Sequence, residues 1–508
     1  MSLPDAGRRR GITAAVTLAT VIQTLDSTIA NVALPRMQGE MGATQEQISW
    51  VLTSYIVATA ICMPLTGFLA GRFGRKRLLI GSVLGFTIAS MACGAATSLG
   101  QIVLFRLLQG VFGACLVPLA QSVLLDTWPR ERHAAAMAVW GVGVMLGPIL
   151  GPTLGGWLTE YQSWRWVFYI NLPLGIVTTL GLLAWRPESP LDRERRFDAI
   201  GFGFLAVSLA AVQLMLDRGE SLDWFASREI VAEAVIAVLG LYLFVVHLLT
   251  HPAPFVDPRL FVDRNFAAGM ATAFGVGTVL LATMTLLPPY LQGLMGYPVV
   301  DTGLALAPRG VGTAAAMIAC GRIGDRIDPR ALILLGLALT AFALHEMSGF
   351  DTSVSRATIA WTGVVQGLGI GFVFPPLTAV SFASLAPRHR TEGTALFSLV
   401  RNLGSSVGIS VVVSALSRNS RTEHAALAAA IDPSGLPLRL ALESGLWRID
   451  GPEGLAAIEA EVARQAAGIA FLQDFRLMMW ICVATMPLVL LLRRPQHSSA
   501  PVHAPAAE

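Results

Sequence analysis

The sequence predicts an all-α integral membrane protein with fourteen transmembrane helices, arranged as two six-helix bundles with a two-helix insertion between them. Three observations predict this fold class. Of the 508 residues, 54% are hydrophobic and 14% are charged, and the mean hydropathy is +0.62, well above that of soluble domains. Apolar runs of about 20 residues, the length that crosses a bilayer core, recur along the chain. One loop sequence also occurs twice, once in each half.

Fourteen apolar segments follow one another along the chain. The first six cover about 12–35, 48–71, 77–98, 101–126, 134–158 and 165–185. Two follow at about 199–216 and 229–249, and six more at about 266–291, 302–320, 330–348, 357–385, 393–416 and 473–492. They divide the chain into a cytoplasmic N-terminus (1–11), a first bundle (12–198), an inserted pair (199–250), a second bundle (251–494) with a periplasmic loop (417–472), and a cytoplasmic tail (495–508).

The first segment follows three arginines, Arg8 to Arg10, as the apolar part of a signal peptide would. It is long, it contains Asp26 and Asn31, and many further apolar segments follow it. These features favour a retained helix over a cleaved leader.

Basic residues give the orientation. A cytoplasmic N-terminus places the basic loop from Arg72 to Arg77, and the arginines that follow every second segment after it, on the cytoplasmic side. The short loops on the other side then hold only Arg36, Arg165, Arg218, Arg228 and Arg356. This is the asymmetry that the positive-inside rule requires, so both termini are expected in the cytoplasm.

Composition and motifs exclude several classes of function. The net charge of +3 is small and segregated by side, which argues against a nucleic-acid partner. All five cysteines lie in apolar segments without metal-ligand spacing. No Walker loop, clustered metal ligands or large soluble domain is present in the sequence, so neither an enzyme nor a metal site is predicted.

A repeat relates the two bundles. The stretch "GFLAGRFGRK" (Gly67–Lys76) aligns with "GRIGDRIDPR" (Gly321–Arg330), each between the second and third helices of its bundle. The alignment matches Arg72 with Arg326. Parallel repeats of this kind are related by an axis along the membrane normal, and the pathway for a substrate runs between them.

Two charges stand alone inside apolar segments. Asp26 lies in the first segment and Arg106 in the fourth. A charge within the bilayer costs several kcal/mol unless it is paired, hydrated or neutralised, so both side chains are expected to face the interior. Asp26 is either a titrating group or a hydrogen-bonding partner of a neighbouring helix. Arg106 either binds backbone carbonyls or pairs reversibly with a carboxylate.

Small residues mark the fifth segment. Gly147, Gly151 and Gly155 recur every fourth residue, with Pro148 and Pro152 beside them. The glycines leave one helix face without side chains, which admits another helix closely, and the prolines remove backbone hydrogen bonds. Spacing alone leaves two interpretations open, tight helix packing and a conformational hinge.

These motifs together resemble those of a known family. The Gly67 to Arg77 loop, "LFRLLQGVFGA" (Leu104–Ala114) and "GVMLGPILGPTLGG" (Gly143–Gly156) resemble motifs of the major facilitator superfamily. Four further stretches resemble its fourteen-helix drug:proton antiporter branch: "LDSTIANVALP" (Leu25–Pro35), "WRWVFYINLPLG" (Trp164–Gly175), "LMLDRGESLDWF" (Leu214–Phe225) and "RNLGSSVGIS" (Arg401–Ser410).

The resemblance implies a function and partners. It implies the major facilitator fold and export of hydrophobic or amphipathic drugs from a bacterial inner membrane by alternating access. Asp26 and Arg106 would couple export to the proton motive force, with no other cofactor. The implied partners are a periplasmic adaptor (membrane fusion protein) and an outer-membrane channel. The 417–472 loop either docks the adaptor or is a surface feature without a partner, because long loops are tolerated at little cost. A helix over Glu453 to Gln473 is predicted there, because the stretch is rich in Ala, Glu and Leu.

The resemblance also implies a gating set. It comprises Gly67, Arg72, Gly74, Arg75, the glycines and prolines of the fifth segment, Asp325 and Arg326. The first loop departs from the family pattern, because Gly71 stands where the family has an acidic residue. We therefore expect Asp325 with Arg326, in the second copy, to hold the inward gate.

Eight residues are candidates for a substrate cavity, because drug-binding cavities combine aromatic walls with a few polar anchors. They are Gln23, Asn31, Tyr55, Gln109, Gln121, Tyr290, Gln366 and Phe374. Core packing explains each of them equally well. A symporter, or an exporter of one specific metabolite, would share the fold, and the glycine-proline stripe of the fifth segment is the feature that favours drug export.

Overall fold

The computed structural model describes residues 5–129, 132–185, 196–324, 326–351, 353–431 and 452–493. Within these ranges, thirteen helices are long and apolar enough to cross a membrane. A fourteenth span is formed by Gln45–Cys62 and Leu65–Phe73, which meet at a bend of 62°. The fourteen-helix prediction is therefore confirmed.

The spans are numbered in chain order. They are α1 (Ala6–Met41), α2 (Gln45–Cys62 and Leu65–Phe73), α3 (Arg75–Ala95), α4 (Leu99–Thr127), α5 (His133–Tyr161), α6 (Trp166–Ala184), α7 (Ala199–Arg218), α8 (Arg228–Thr250), α9 (Arg264–Leu294), α10 (Val300–Ile323), α11 (Pro329–Met347), α12 (Arg356–Ala383), α13 (Pro387–Ala430) and α14 (Pro452–Leu490). We call the membrane face at which α1 begins the N-terminal face, and the other the opposite face.

The two halves, α1–α6 and α9–α14, pack their helices in the same way. In the first half, α1 contacts α5 and α6, α4 contacts α2 and α3, and α3 contacts α6. In the second half, α9 contacts α13 and α14, α12 contacts α10 and α11, and α11 contacts α14. The repeat seen in two loop sequences thus extends, pair by pair, through each six-helix half.

The inserted pair lies against both halves. α7 and α8 contact each other, and α7 also contacts α2 of the first half and α13 of the second. Asp217 of α7 accepts a hydrogen bond from Thr53 of α2. Gln213 of α7 accepts one from Ser406 of α13, at 3.1 Å. The insertion therefore bridges the two halves in the part of the membrane nearer the opposite face.

Three helix boundaries differ from those predicted. The segment predicted at 48–71 is broken near Met63 and Pro64, where the two parts of α2 meet. α13 and α14 both continue into the predicted 417–472 loop, because its flanks are rich in helix-forming Ala and Glu. The helix expected from Glu453 to Gln473 is part of α14. His424 Nε2 lies 2.7 Å from Glu459 Oε1, which joins the two extensions.

Candidate functional site

The site begins with the close contact between α1 and α5. Asp26 lies on the buried face of α1 and is fully inaccessible. A β-carbon at Gly147 would lie 2.5 Å from Thr24 Oγ1, and one at Gly155 would lie 2.8 Å from Ile29 Cγ1. Such distances are too short for real contacts, so glycine is what lets α5 approach the helix that carries Asp26.

Asp26 forms an ion pair with Arg106 of α4. Arg106 Nη1 lies 2.6 Å from Asp26 Oδ2, and neither side chain is exposed. The other carboxylate oxygen, Oδ1, accepts hydrogen bonds from Gln109 Nε2 at 2.8 Å and from Asn171 Nδ2 of α6 at 2.9 Å. Three helices thus meet at one carboxylate that has a counter-charge and two further donors, which is what a membrane-buried charge requires.

The guanidinium of Arg106 has further contacts that fix its position. Its Nε donates to Val51 O at 3.1 Å, and its Nη1 also donates to Gln109 Oε1 at 2.8 Å. Its carbon Cζ lies 4.4 Å from the centre of the Tyr55 ring, close enough for a cation–π interaction. Its Nη2 has no hydrogen-bond partner among the described residues. Removing one member of a buried ion pair destabilises a protein by about 3–5 kcal/mol, so the charges of Asp26 and Arg106 depend on each other.

Two uncharged residues that sequence reasoning did not assign complete this site. Asn171 Nδ2 donates to Ser90 Oγ at 2.9 Å as well as to Asp26, and Ser90 Oγ donates to Phe168 O at 2.9 Å. This chain of hydrogen bonds orients the Asn171 amide toward the carboxylate. The only available signal was a polar side chain within an apolar segment, which many packing positions share.

A second cluster joins the halves at the N-terminal face. Asp126, at the end of α4, forms ion pairs with Arg75 of α3 and with Arg390 of α13, whose Nη1 lies 2.9 Å from Asp126 Oδ1. Arg390 Nη1 also donates to Leu125 O at 2.9 Å, and Arg75 Nη2 donates to Pro387 O at 3.2 Å. One carboxylate of the first half therefore holds the start of α13 in the second half. We call these three residues the Asp126 cluster.

Uncharged polar contacts also join the two halves next to the Asp126 cluster. Ser122 and Thr391 hydroxyls lie 2.8 Å apart, and Thr394 Oγ1 donates to Pro118 O at 3.0 Å. Farther in, α5 also meets α12, where the rings of Trp140 and Phe374 stack with centroids 5.9 Å apart.

The family model of the Major Facilitator Superfamily matches residues 16–409. The chain belongs to the major facilitator superfamily. The multidrug export protein EmrB of Escherichia coli (strain K12) is 36% identical over 424 residues, 83% of each chain. The fatty acid resistance protein FarB of Neisseria gonorrhoeae is 35% identical over 498 residues, 97% of each chain. The solved structure of the human organic anion transporter MFSD10 (TETRAN) shares the fold, with a TM-score of 0.60 at 15% identity over 93% of this chain and 99% of that one.

In this major facilitator chain, the residues predicted to form the gate lie in different environments. A β-carbon at Gly67 would lie 3.0 Å from Glu392 Cα, so Gly67 lets α2 approach α13 at the N-terminal face. Gly74 separates α2 from α3 with a φ of +86°, which favours glycine. Arg72 lines a surface groove, and Arg326 is exposed in a turn.

Three further residues belong to the predicted gating set. Asp325 lies outside the described residues, so its expected pairing with Arg326 stays a prediction. Pro148 and Pro152 lie within the continuous helix α5. The structure pairs Arg75, one of the predicted gating residues, with Asp126, which also binds Arg390; sequence reasoning missed both partners.

The eight predicted cavity residues lie in separate places in this major facilitator conformation. Tyr55 and Gln109 belong to the Asp26 site, and the Tyr55 hydroxyl lies beside Gln23. Gln121 accepts a hydrogen bond from Ser398 between the halves. The other four are distributed as follows: Phe374 stacks on Trp140, Tyr290 packs on Phe471 and Phe475 inside the second half, Gln366 is buried between α9, α11 and α14, and Asn31 is exposed.

One cluster among the described residues has the composition of a metal site. Asp198, His247 and His251 lie close together at the N-terminal face, where α7 begins and α8 ends. The carboxylate of Asp198 already accepts hydrogen bonds from the backbone N–H groups of Gly201 and Phe255. Burial opposes ionisation of Asp198, but these bonds and His247 keep its pKa below the usual value. The Asp198 carboxylate therefore caps the start of α7. Its family identifies the chain as a transporter rather than an enzyme.

Proposed function

We propose that this protein is a proton-coupled exporter of hydrophobic or amphipathic compounds that works by alternating access. The observation that carries the proposal is the ion pair between Asp26 and Arg106, fully buried inside the first half of a major facilitator chain. A buried carboxylate with one counter-charge is a two-state element, because its protonation changes the charge balance of the whole site.

The chemistry of the switch follows from the contacts. With Asp26 ionised, Arg106 and the amides of Gln109 and Asn171 all donate to its carboxylate. Protonation of Asp26 removes the counter-charge of Arg106. The Arg106 guanidinium must then bind water, backbone carbonyls or a group of the substrate. Each proton that crosses the membrane potential supplies about 2.3 kcal/mol per 100 mV, enough to drive export against a gradient of more than about tenfold.

The Asp126 cluster supplies the gate in this proposal. From the positive-inside pattern we infer that the N-terminal face, and with it both termini, lies in the cytoplasm. The bacterial relatives support an inner membrane. The cluster joins the halves at that face, so we infer that this conformation is closed to the cytoplasm. Loading a drug from the cytoplasm then requires Asp126 to release Arg390.

The relatives suggest the substrate class. The name of EmrB refers to multidrug export and that of FarB to resistance to fatty acids. Drugs and fatty acids share an apolar body with a polar or charged end. At the contact between the halves, Phe374 stacks on Trp140, and the Arg401 guanidinium lies 5.5 Å from the Phe374 ring. This pairing of aromatic surface with a cation suits amphipathic compounds.

The extensions of α13 and α14 are the proposed docking site for a periplasmic adaptor, which would pass substrates to an outer-membrane channel. They project beyond the opposite face and carry exposed side chains such as Leu455 and Glu453. Single cysteines at these positions, with a photoactivatable thiol reagent, should capture the adaptor when the two proteins are expressed together. A full set of extension cysteines that never captures it would remove this role.

Transport by the purified protein in lipid vesicles tests the main proposal. We expect a pH gradient to drive an ethidium-like dye across the membrane in the wild type and in Glu46→Gln, which changes an exposed carboxylate at the start of α2. Asp26→Asn keeps size and hydrogen bonding but cannot titrate, so it should bind dye without proton-driven flux. If Asp26→Asn still couples dye to the gradient, Asp26 is not the coupling group. Wild-type transport of one metabolite but no dye would favour a specific transporter of the same fold.

A further inference from the structure

The second half contains a buried carboxyl group that the proposed mechanism does not use. Asp474 lies within α14 and is fully inaccessible. Neither of its carboxyl oxygens has a hydrogen-bond partner among the described residues. Asp26, in contrast, accepts hydrogen bonds from three side chains.

The surroundings of Asp474 are apolar. The buried face of α14 that carries it also presents Ala470, Phe471, Phe475 and Met478. The rings of Phe471 and Phe475 pack edge-on against Tyr290 of α9, with centroids 5.6 and 6.2 Å away. None of these described neighbours carries a positive charge that would compensate for a carboxylate.

The titratable groups on the neighbouring helices are engaged elsewhere or exposed. α14 packs against α9, α11 and α13. The groups on their outer parts are Tyr290, which donates to Asp351 O, the exposed residues His345, Arg418 and Arg421, the half-buried Glu346, Glu423, which accepts a hydrogen bond from Gln473, and His424, which pairs with Glu459. Deeper in α13, Arg401 donates to Asn402 Oδ1 at 3.3 Å and lies over the Phe374 ring. On α14 itself, Arg476 is exposed. None of these groups forms a hydrogen bond with Asp474.

The position of Asp474 corresponds to that of a residue in the Asp26 site. α14 is the counterpart of α6 in the repeat. Asn171, which donates to Asp26, lies about 20 Å along α6 from the N-terminal face, and Asp474 lies about 24 Å along α14, at 1.5 Å per residue. Both residues are therefore at similar depth, in corresponding helices of the two halves.

The adjoining part of α9 departs from regular α-helix. Pro288 and Pro289 end its regular α-helix, and Tyr290–Leu294 forms a π-helical turn. Such turns are frequent at functional sites, because they locally weaken the backbone hydrogen-bond ladder. A change at this turn would move Tyr290 relative to the two phenylalanines and admit water to Asp474.

We propose that Asp474 is a second proton-binding site of the transporter, which holds a proton in this conformation and releases it to water in another. A carboxyl group without a counter-charge in apolar surroundings is stable as the neutral acid. The step is a simple exchange, in which the carboxylate takes a proton from water on the opposite face and later releases it to water on the N-terminal face. This inference deepens the proposed function and rests on it, since it assigns a second coupled proton. Asp26 remains the switch of the conformational cycle, so Asp26→Asn stops proton-driven flux even with Asp474 intact, whereas Asp474→Asn removes one of two protons.

Infrared spectroscopy of the full-length protein tests whether Asp474 is protonated. We expect the wild type at neutral pH to show a carbonyl band of a protonated carboxylic acid. Asp474→Asn should remove this band, and Asp26→Asn should leave it. Asp474→Glu should shift the band without removing it, so the spectrum is decisive even if the Asn variant folds poorly. A wild-type spectrum without a band that depends on residue 474 would overturn the proposal.

Dye gradients in vesicles test whether the proton is coupled. Without a membrane potential, each coupled proton multiplies the equilibrium dye ratio about tenfold per pH unit. Asp474→Asn should therefore lower the ratio about tenfold at one pH unit, while Asp474→Glu keeps the wild-type ratio. An unchanged dye ratio in Asp474→Asn would overturn the proposal that Asp474 carries a second coupled proton. If even the wild type builds no gradient, the proposed function fails, and the infrared result still decides the protonation of Asp474.

Discussion

Thr28 Oγ1 of α1 donates a hydrogen bond to the backbone carbonyl of Gly147 in α5, across 3.1 Å. One turn earlier, Thr24 Oγ1 lies 3.4 Å from Val144 O. These contacts are possible only because the glycine face of α5 leaves its backbone uncovered. The stripe therefore joins α5 to the helix that carries Asp26, and its packing determines the geometry of the proposed coupling site.

Gly147→Ala should impair transport through this contact. The added methyl group would lie 2.5 Å from Thr24 Oγ1 and must displace α1, which carries Asp26. Overpacking of this kind destabilises by about 1–3 kcal/mol. We expect a lower thermal midpoint and loss of most dye efflux. Gly156→Ala is the matched control in the same helix, because its methyl group would lie 4.0 Å from Val32 Cγ1. Equal efflux by both variants would contradict this role of Gly147.

A double-mutant cycle should separate stability from coupling at the ion pair. Asp26→Asn and Arg106→Gln each leave one buried charge unpaired, so each should lower the unfolding free energy by about 3–5 kcal/mol. The double variant removes both charges and should regain much of that stability. It should remain unable to couple dye flux to a pH gradient, because no titrating group is left at this site. Thermal midpoints and vesicle transport measure the two effects. Purely additive losses would mean that the two side chains do not interact.

The number of spans and the presence of two buried charges could be predicted from the sequence for the same physical reason. A bilayer imposes a minimum apolar length on each helix and penalises every charge within it. Asp26 and Arg106 are conspicuous because they interrupt long apolar segments. Their contact could not be read from the sequence, because it depends on the approach of α1, α4 and α6 in three dimensions.

Other site residues could not be predicted, because their environment depends on helix ends and tertiary contacts. Asp126 lies at the last position of a predicted segment, where a carboxylate is ordinarily hydrated, yet it binds arginines of both halves. Asp474 is the second residue of the predicted last segment. Because α14 begins at Pro452, Asp474 lies well inside a continuous helix. Boundaries drawn from hydropathy alone thus concealed one ion-pair cluster and one buried acid.

The Asp126 cluster should control opening at the N-terminal face. Asp126→Asn removes the charge that holds Arg75 and Arg390 together, so the two like-charged guanidinium groups would then favour separation. We expect spin-label pairs on α4 and α13 at this face to show a larger open population, and dye efflux to fall. Arg326→Gln, which changes an exposed arginine in the repeated loop, is the control. A stronger effect from Arg326→Gln would favour the second loop copy as the gate.

The inserted pair should limit how far the halves can move apart. α7 holds α2 through Thr53 and Asp217, and it holds α13 through Ser406 and Gln213. Alternating access moves α2 and α13 relative to each other near the opposite face, so α7 can follow one of them but not both. Each contact can be locked separately by a cysteine pair, Thr53→Cys with Asp217→Cys or Ser406→Cys with Gln213→Cys, in a background without the five native cysteines.

Locking one contact should leave dye efflux largely intact, because α7 then moves with one half. Locking both contacts should stop efflux, and a reductant should restore it. The four-cysteine protein before crosslinking serves as its own control, since it carries the same substitutions without the covalent links. Full efflux with both links formed would show that α2 and α13 keep their distance at this level throughout the cycle. The insertion would then be a passive cover, and the movement of the halves would have to pivot about α7.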